Sequence, residues 1–466
     1  MYKCRVNQIV IYLIYIFFGI WLFMKCDFES IYVLEYITLL ISYFIVGGIV
    51  VLLVFSHRAD IFEPIYLTLV LLIGLFSVAP ICLTAAGTDT LYGKNFMGGC
   101  IKTTIIYVFC SISLCFGYYQ KVYSFEVGQT NLEEKLNNKK ILLQVMYGIW
   151  GICFFIGISF ETLALGRSFM YILTLGGMGI NDMGTATISS VNFLLNFSYS
   201  CILPWLYIMF LEKNSIKKGI VTYCMVMLYI VCGWRNVIII VALSYITVYY
   251  INKNKRPSKK GIIMCLIVGV IFLGALGSAR YGLRNGQRTK INLLDTNSIL
   301  FALESNFNLY QPFYAIVKTI PAKFGYSWGK GMIFDTLITF VPRAIWPQKP
   351  LARDFALLEA IRLSTSDTVI DGAAMAVPSI AEFYVDFGII GSIILCFFAG
   401  KILQECTKLY KRSTHTFHTL ALYGVIFGVL DVLVMRGYMP NNFYYVIFLI
   451  WPYWIAKRVE AKGKLF

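Results

Sequence analysis

Charge is what this sequence has least of. Asp, Glu, Lys and Arg supply 14% of its 466 residues against 59% apolar ones, and the mean hydropathy is +0.72. That balance excludes a water-soluble enzyme, and a 16% share of Phe, Tyr and Trp excludes a disordered chain. Histidine is scarcer still. His415 and His418 lie i, i+3 with no third ligand nearby, so they read as solvated loop histidines and not as a metal site. The stretch from 280 to 380 has no cysteine, which excludes a disulfide framework or a zinc site within it. It has no Asp-x-Asp pair either, so the sequence demands no divalent metal. A phosphate-binding P-loop is missing as well: Gly325-Tyr326-Ser327-Trp328-Gly329-Lys330 is one residue short, and Gly331 stands where Ser or Thr is needed.

What is abundant is apolar sequence in runs long enough to cross a bilayer. About twelve candidate spans occur, at 8–24, 31–55, 64–82, 100–118, 141–160, 189–211, 216–233, 236–252, 261–279, 383–401, 416–434 and 441–457. As one helix, 216–252 would run about 55 Å, so a hairpin is expected at Gly233 to Asn236. The cysteines fall nearly all inside such runs, as Cys110, Cys153 and Cys224 do, and act there as small hydrophobes. Basic residues exceed acidic ones by 40 to 24. They cluster between apolar runs, as in Lys253, Lys255, Arg256, Lys259 and Lys260, which marks cytoplasmic loops and argues against nucleic acid. The first span follows Lys3 and Arg5 without a cleavage site and reads as retained.

The expected fold is therefore an all-α polytopic membrane protein with both termini cytoplasmic. Transmembrane helices 1–9 occupy 1–279, an extracytoplasmic loop domain 280–382, and helices 10–12 residues 383–466. No internal repeat supports a two-halved transporter. The one long loop is rich in Trp, Tyr, Phe and Leu and is expected to fold against the outer membrane surface.

Chemistry is expected on that outer side. Arg280, Arg284 and Arg288 recur every fourth residue and form a cationic ridge on one helix face, unless they only anchor lipid headgroups. Arg235 is the only charge in 219–252, where an intramembrane cation needs a partner, either structural or a ligand. Arg167 and Arg436 lie on the same side. A guanidinium grips two phosphate oxygens at once, so this set suggests a phosphorylated, lipid-linked ligand. The block Phe340-Val341-Pro342-Arg343-Ala344-Ile345-Trp346-Pro347-Gln348-Lys349-Pro350 is stiff and irregular, and holds Arg343 and Lys349 in place. Glu382 and Asp386 share a helix face at the start of the next span. They serve there either the helix macrodipole or as a general base toward a sugar hydroxyl.

At Val341 to Pro350 and Ser379 to Gly388 the sequence resembles the oligosaccharide repeat unit polymerases, the Wzy-type O-antigen and capsular polysaccharide polymerases. The resemblance extends to the Gly325 to Gly331 approach and to the single large late loop. It implies a GT-C-like membrane glycosyltransferase in the bacterial cytoplasmic (inner) membrane. Such an enzyme joins repeat units carried on undecaprenyl pyrophosphate, without metal or cofactor, with membrane lipids and a chain-length regulator protein as further partners. Carried onto this chain, Arg343, Arg280, Arg284 and Arg235 would stabilise the departing pyrophosphate, with Lys349, Arg167 and Arg436 as second choices. Glu382 would be the base, with Asp386, Asp371 and Asp335 competing, and Tyr384, Trp346 or Trp328 would stack on sugar. The paired Arg-x10-Gly loops of some O-antigen polymerases are absent, since Met178 and Asp354 stand eleven residues after Arg167 and Arg343. An O-antigen ligase and a lipid-linked oligosaccharide flippase are the competing readings.

Overall fold

In a computed structural model the protein is a bundle of long helices. The structure describes residues 2–56, 60–87, 90–91, 94–120, 132–136, 138–165, 192–231, 235–258, 261, 264, 307–339, 341, 345–349, 377–411 and 416–462. In chain order the helices are α1 (Tyr2–Lys25), α2 (Val33–Ser56), α3 (Pro64–Ala85, with a π-helical turn at Gly74–Val78), α4 (Cys100–Tyr118) and α5 (Lys139–Leu165). There follow α6 (Ile202–Leu211, entered through the 3-10 segment Asn192–Cys201), α7 (Ser215–Val231), α8 (Arg235–Asn252) and α9 (Tyr310–Thr319). The last are α10 (Asp335–Thr339, after a π-helical turn at Lys330–Phe334), α11 (Ser379–Lys411), α12 (Phe417–Met435) and α13 (Met439–Lys462). A two-residue antiparallel pair, Thr90–Leu91 with Lys94–Asn95, is the only sheet among the described residues.

Helices occupy every span expected from hydropathy except 261–279, which lies outside the described residues apart from Gly261 and Met264. In the run 216–252, α7 ends at Val231 and α8 begins at Arg235, while Gly233 and Trp234 of the expected hairpin lie outside the described residues. Six helical segments are long and apolar enough to cross a membrane: Val33–Phe55, Pro64–Ala85, Met97–Tyr118, Lys139–Ser159, Ser379–Lys411 and Phe417–Met435. Their outward faces are apolar: on α11, Ile390, Ile394, Phe398 and Ile402 recur every fourth residue and all are exposed. That stripe suits lipid and not water.

Two cores share one pillar. Side chains of α2, α3, α4, α9 and α11 form the first, and those of α5 to α8 and α13 the second. Helix α12 gives Tyr423, Phe427 and Leu430 to the first and Leu420, Val425, Val429 and Val432 to the second, so it is buried on both sides. A reciprocal capping box starts it, Thr416 Oγ1 accepting from Thr419 N–H (3.3 Å) and Thr419 Oγ1 from Thr416 N–H (3.1 Å). Close approach of α4 and α11 depends on glycine: a Cβ on Gly117 or Gly400 would run into the Phe397 or Leu114 carbonyl oxygen.

One expectation is corrected here. His418 is buried, not solvated: it meets the Tyr207 hydroxyl at 2.6 Å through Nδ1 and Glu460 through Nε2. It opens α12 inside the second core, where an imidazole persists only if both nitrogens find partners. His415 lies outside the described residues.

Candidate functional site at the amino-terminal end of α11

Helix α11 begins just after Pro378, and its first turn carries Glu382. That carboxylate is 1% exposed, and both of its oxygens accept the Met439 N–H at 3.0 Å. Met439 opens α13 with Pro440 behind it, so this N–H has no acceptor within its own helix. Glu382 therefore serves the positive end of a neighbouring helix as well as its own.

The turn Arg436 to Tyr438 between α12 and α13 is tied down from several sides. Gly437 N–H donates to the Val377 carbonyl, Ser379 Oγ to the Leu433 carbonyl, and Asn442 Nδ2 to the Arg436 carbonyl at 2.8 Å. Arg436 is exposed. Its guanidinium donates through Nε (2.8 Å) and an Nη nitrogen (3.3 Å) to the Asn236 amide oxygen, in the amide orientation that satisfies both residues. Asn236 follows Arg235, of which the backbone alone is described; it opens α8. Of the expected residues, the structure thus brings Glu382, Arg436 and the Arg235 backbone to one end of the bundle.

Asp386 lies one turn beyond Glu382, is 1% exposed, and holds a loop. Its carboxylate accepts from Ser327 Oγ, from Met332 N–H at 2.9 Å and from Gly331 N–H at 3.4 Å, while its carbonyl accepts Trp328 N–H at 2.8 Å. This is the segment that fails as a P-loop. Trp328 and Gly329 both have positive φ (54° and 84°), which turns successive N–H groups inward, and the anion they cradle is the protein's own carboxylate. Burial, then the adjacent Tyr384 hydroxyl, raises the Tyr326 phenol above its ordinary range, so that it remains protonated.

The expected sugar platforms separate by burial. Tyr384 is buried, its hydroxyl donates to the Ile320 carbonyl (2.9 Å), Tyr326 packs edge-on at 5.9 Å, and Lys102 Nζ lies 5.4 Å from the ring centre. Trp328 and Trp346 are both exposed, Trp328 to 76%. Lys349 donates to the Val341 carbonyl at 3.1 Å, and Asp335 is buried. Arg343, Arg280, Arg284, Arg288, Arg167 and Asp371 lie outside the described residues.

Sequence reasoning missed Asp431. It sits in α12 five residues before Arg436 and is 8% exposed, and its Oδ1 has no hydrogen-bond partner. The rule that singles out Arg235, a lone charge in an apolar stretch, applies equally to Asp431 in 417–435.

The opposite end of α11 is closed by charge. Lys411 pairs with Glu63 at 2.7 Å, Glu63 also accepts from the Tyr118 hydroxyl at 3.1 Å, and Asp60 takes both Arg256 and the Tyr410 hydroxyl. Residues 60–63, 132–133 and 252–256 gather there, Asn252 Oδ1 accepting Leu132 N–H at 2.8 Å and Glu133 pairing with Lys253 at 3.6 Å.

The family model described as O-antigen polysaccharide polymerase Wzy matches residues 7–463. No curated protein and no solved structure matches the chain. With nearly the whole length matched, and apolar helices of membrane-crossing length, this membrane protein belongs to the O-antigen polysaccharide polymerase Wzy family.

Proposed function

We propose that the protein elongates a surface polysaccharide by joining oligosaccharide repeat units carried on undecaprenyl pyrophosphate, at the outer face of the cytoplasmic membrane. The family match over residues 7–463 carries this reading, since it covers both cores and both ends of the bundle. The Glu382 end faces outward and the Lys411 end inward, in keeping with the basic residues gathered around 253–256. At the outer end a guanidinium, Arg436, stands beside the start of α8 with Arg235 next in sequence. On this reading Arg343, Arg280 and Arg284, which lie outside the described residues, also serve the pyrophosphate. Their positive charge is greatest in effect when the leaving group becomes anionic. A carboxylate at this end takes the proton of the acceptor hydroxyl, the role expected of Glu382 from the sequence.

Purified full-length protein given lipid-linked repeat units from a polymerase-deficient strain should yield a ladder of longer lipid-linked glycans. Arg436→Ala or Arg343→Ala should lower elongation by about 100-fold or more, and Arg436→Lys should restore little of it, because an ammonium cannot match the two-oxygen grip. A full ladder from all three variants would defeat the pyrophosphate assignment.

A further inference from the structure

We infer that Asp431 is the proton acceptor of the glycosyl transfer and that Glu382 instead holds the turn that carries Arg436. This rests on the polymerase reading above. The carboxylates at this end differ in what their oxygens already hold. Asp386 is occupied by a hydroxyl and two backbone amides, and both oxygens of Glu382 are turned to Met439 N–H. Each hydrogen bond received by a carboxylate favours its ionised form and makes it a weaker base. Asp431 Oδ1 receives none. An acceptor buried without a donor costs about 1–3 kcal/mol, and an ionisable group inside a membrane helix costs more, so this position needs a reason beyond packing.

No neighbouring side chain among the described residues supplies the missing donor, and the hydrogen bonds that bear on this carboxylate come only from the backbone N–H groups of Asp431 and Val432. On α8, the Ser244 hydroxyl lies against Gly428, one turn below Asp431, and is itself unpartnered. Arg436, the charged group whose field reaches Asp431, spends its Nε on the Asn236 amide. What fits is a hydroxyl donor arriving with substrate beside Arg436. The acceptor sugar places its O–H on Oδ1, and its oxygen attacks the anomeric carbon of the donor chain. The bond from that carbon to the phosphate oxygen breaks, and its electron pair leaves with the pyrophosphate held by arginine. The proton ends on Asp431 and is later released to water. One carboxylate and one guanidinium five residues apart thus serve the two opposite charge changes of the reaction.

The test is steady-state elongation by the full chain in lipid nanodiscs, using lipid-linked oligosaccharide extracted from a polymerase-deficient strain. Asp431→Asn should lower kcat by about 100-fold or more while KM stays within about 3-fold and the melting temperature is kept, and Asp431→Glu should recover part of kcat. Glu382→Gln, which keeps an acceptor for Met439, should retain far more of kcat than Asp431→Asn does. Failure of the wild-type chain to elongate would sink the polymerase reading itself. With the wild type active, near-normal kcat in Asp431→Asn overturns the assignment, and arrest by Glu382→Gln alone returns the role to Glu382. Parallel loss of kcat, KM and melting temperature in both Asp431 variants would mark a packing residue and overturn it too.

Discussion

What an acidic side chain does in this bundle depends on the donors its oxygens meet. Glu382 and Asp386 look alike in sequence, four apart and on one helix face, yet they serve different partners: one holds the start of α13, the other the loop 325–332. Their pairing on α11 was legible, because helical spacing alone fixes it. Their partners were not, because residues 439 and 327–332 come close only once α11, α13 and the loop have packed. Asp386→Ala should lower stability by about 1–3 kcal/mol through the amides it leaves unmet, read as a lower melting temperature in detergent. Loop 325–332 should then be cut faster by added protease.

At the scale of elements, α10 and the turn before it have their polarity reversed. Ile333, Phe334 and Leu337 are exposed, while Asp335 and Thr336 are buried. In water that arrangement would be costly; in hydrocarbon it is the expected one. Trp328, Ile345, Trp346 and Lys330 are exposed too, the mix found where a surface segment lies at headgroup depth. A benzophenone side chain at Leu337 should crosslink to lipid acyl chains in nanodiscs. The same label at exposed Lys323 should capture none, and equal labelling of the two would reject the embedded segment. The aromatic richness of this region was visible in the sequence and suggested contact with the membrane surface. Which residues face outward was not, because a five-residue helix carries too few turns for a period to be read.

Across the whole molecule, α11, kinked at Gly388 where the backbone leaves the helical region, joins two unlike ends. One carries Glu382, Arg436 and Asp431, and the other is locked by charge. The Glu63 and Lys411 side chains keep only 6% and 11% of their surface exposed. Removing one partner strands the other, so Lys411→Met should cost about 3–5 kcal/mol, measured by thermal unfolding in detergent, whereas Lys411→Met with Glu63→Leu should recover most of it. Sequence alone determined that the chain is helical and belongs in a membrane, where most of its apolar helices lie, and which family it resembles. Those follow from local hydrophobicity and short motifs, which each stretch of chain carries by itself. Tertiary structure decided that α12 is the shared pillar, that the near P-loop cradles Asp386, that His418 is buried, and that Asp431 retains an unpartnered oxygen beside the Arg436 turn. Each of these depends on contacts between residues far apart in sequence, and hydropathy, which sums over neighbours along the chain, contains no term for them.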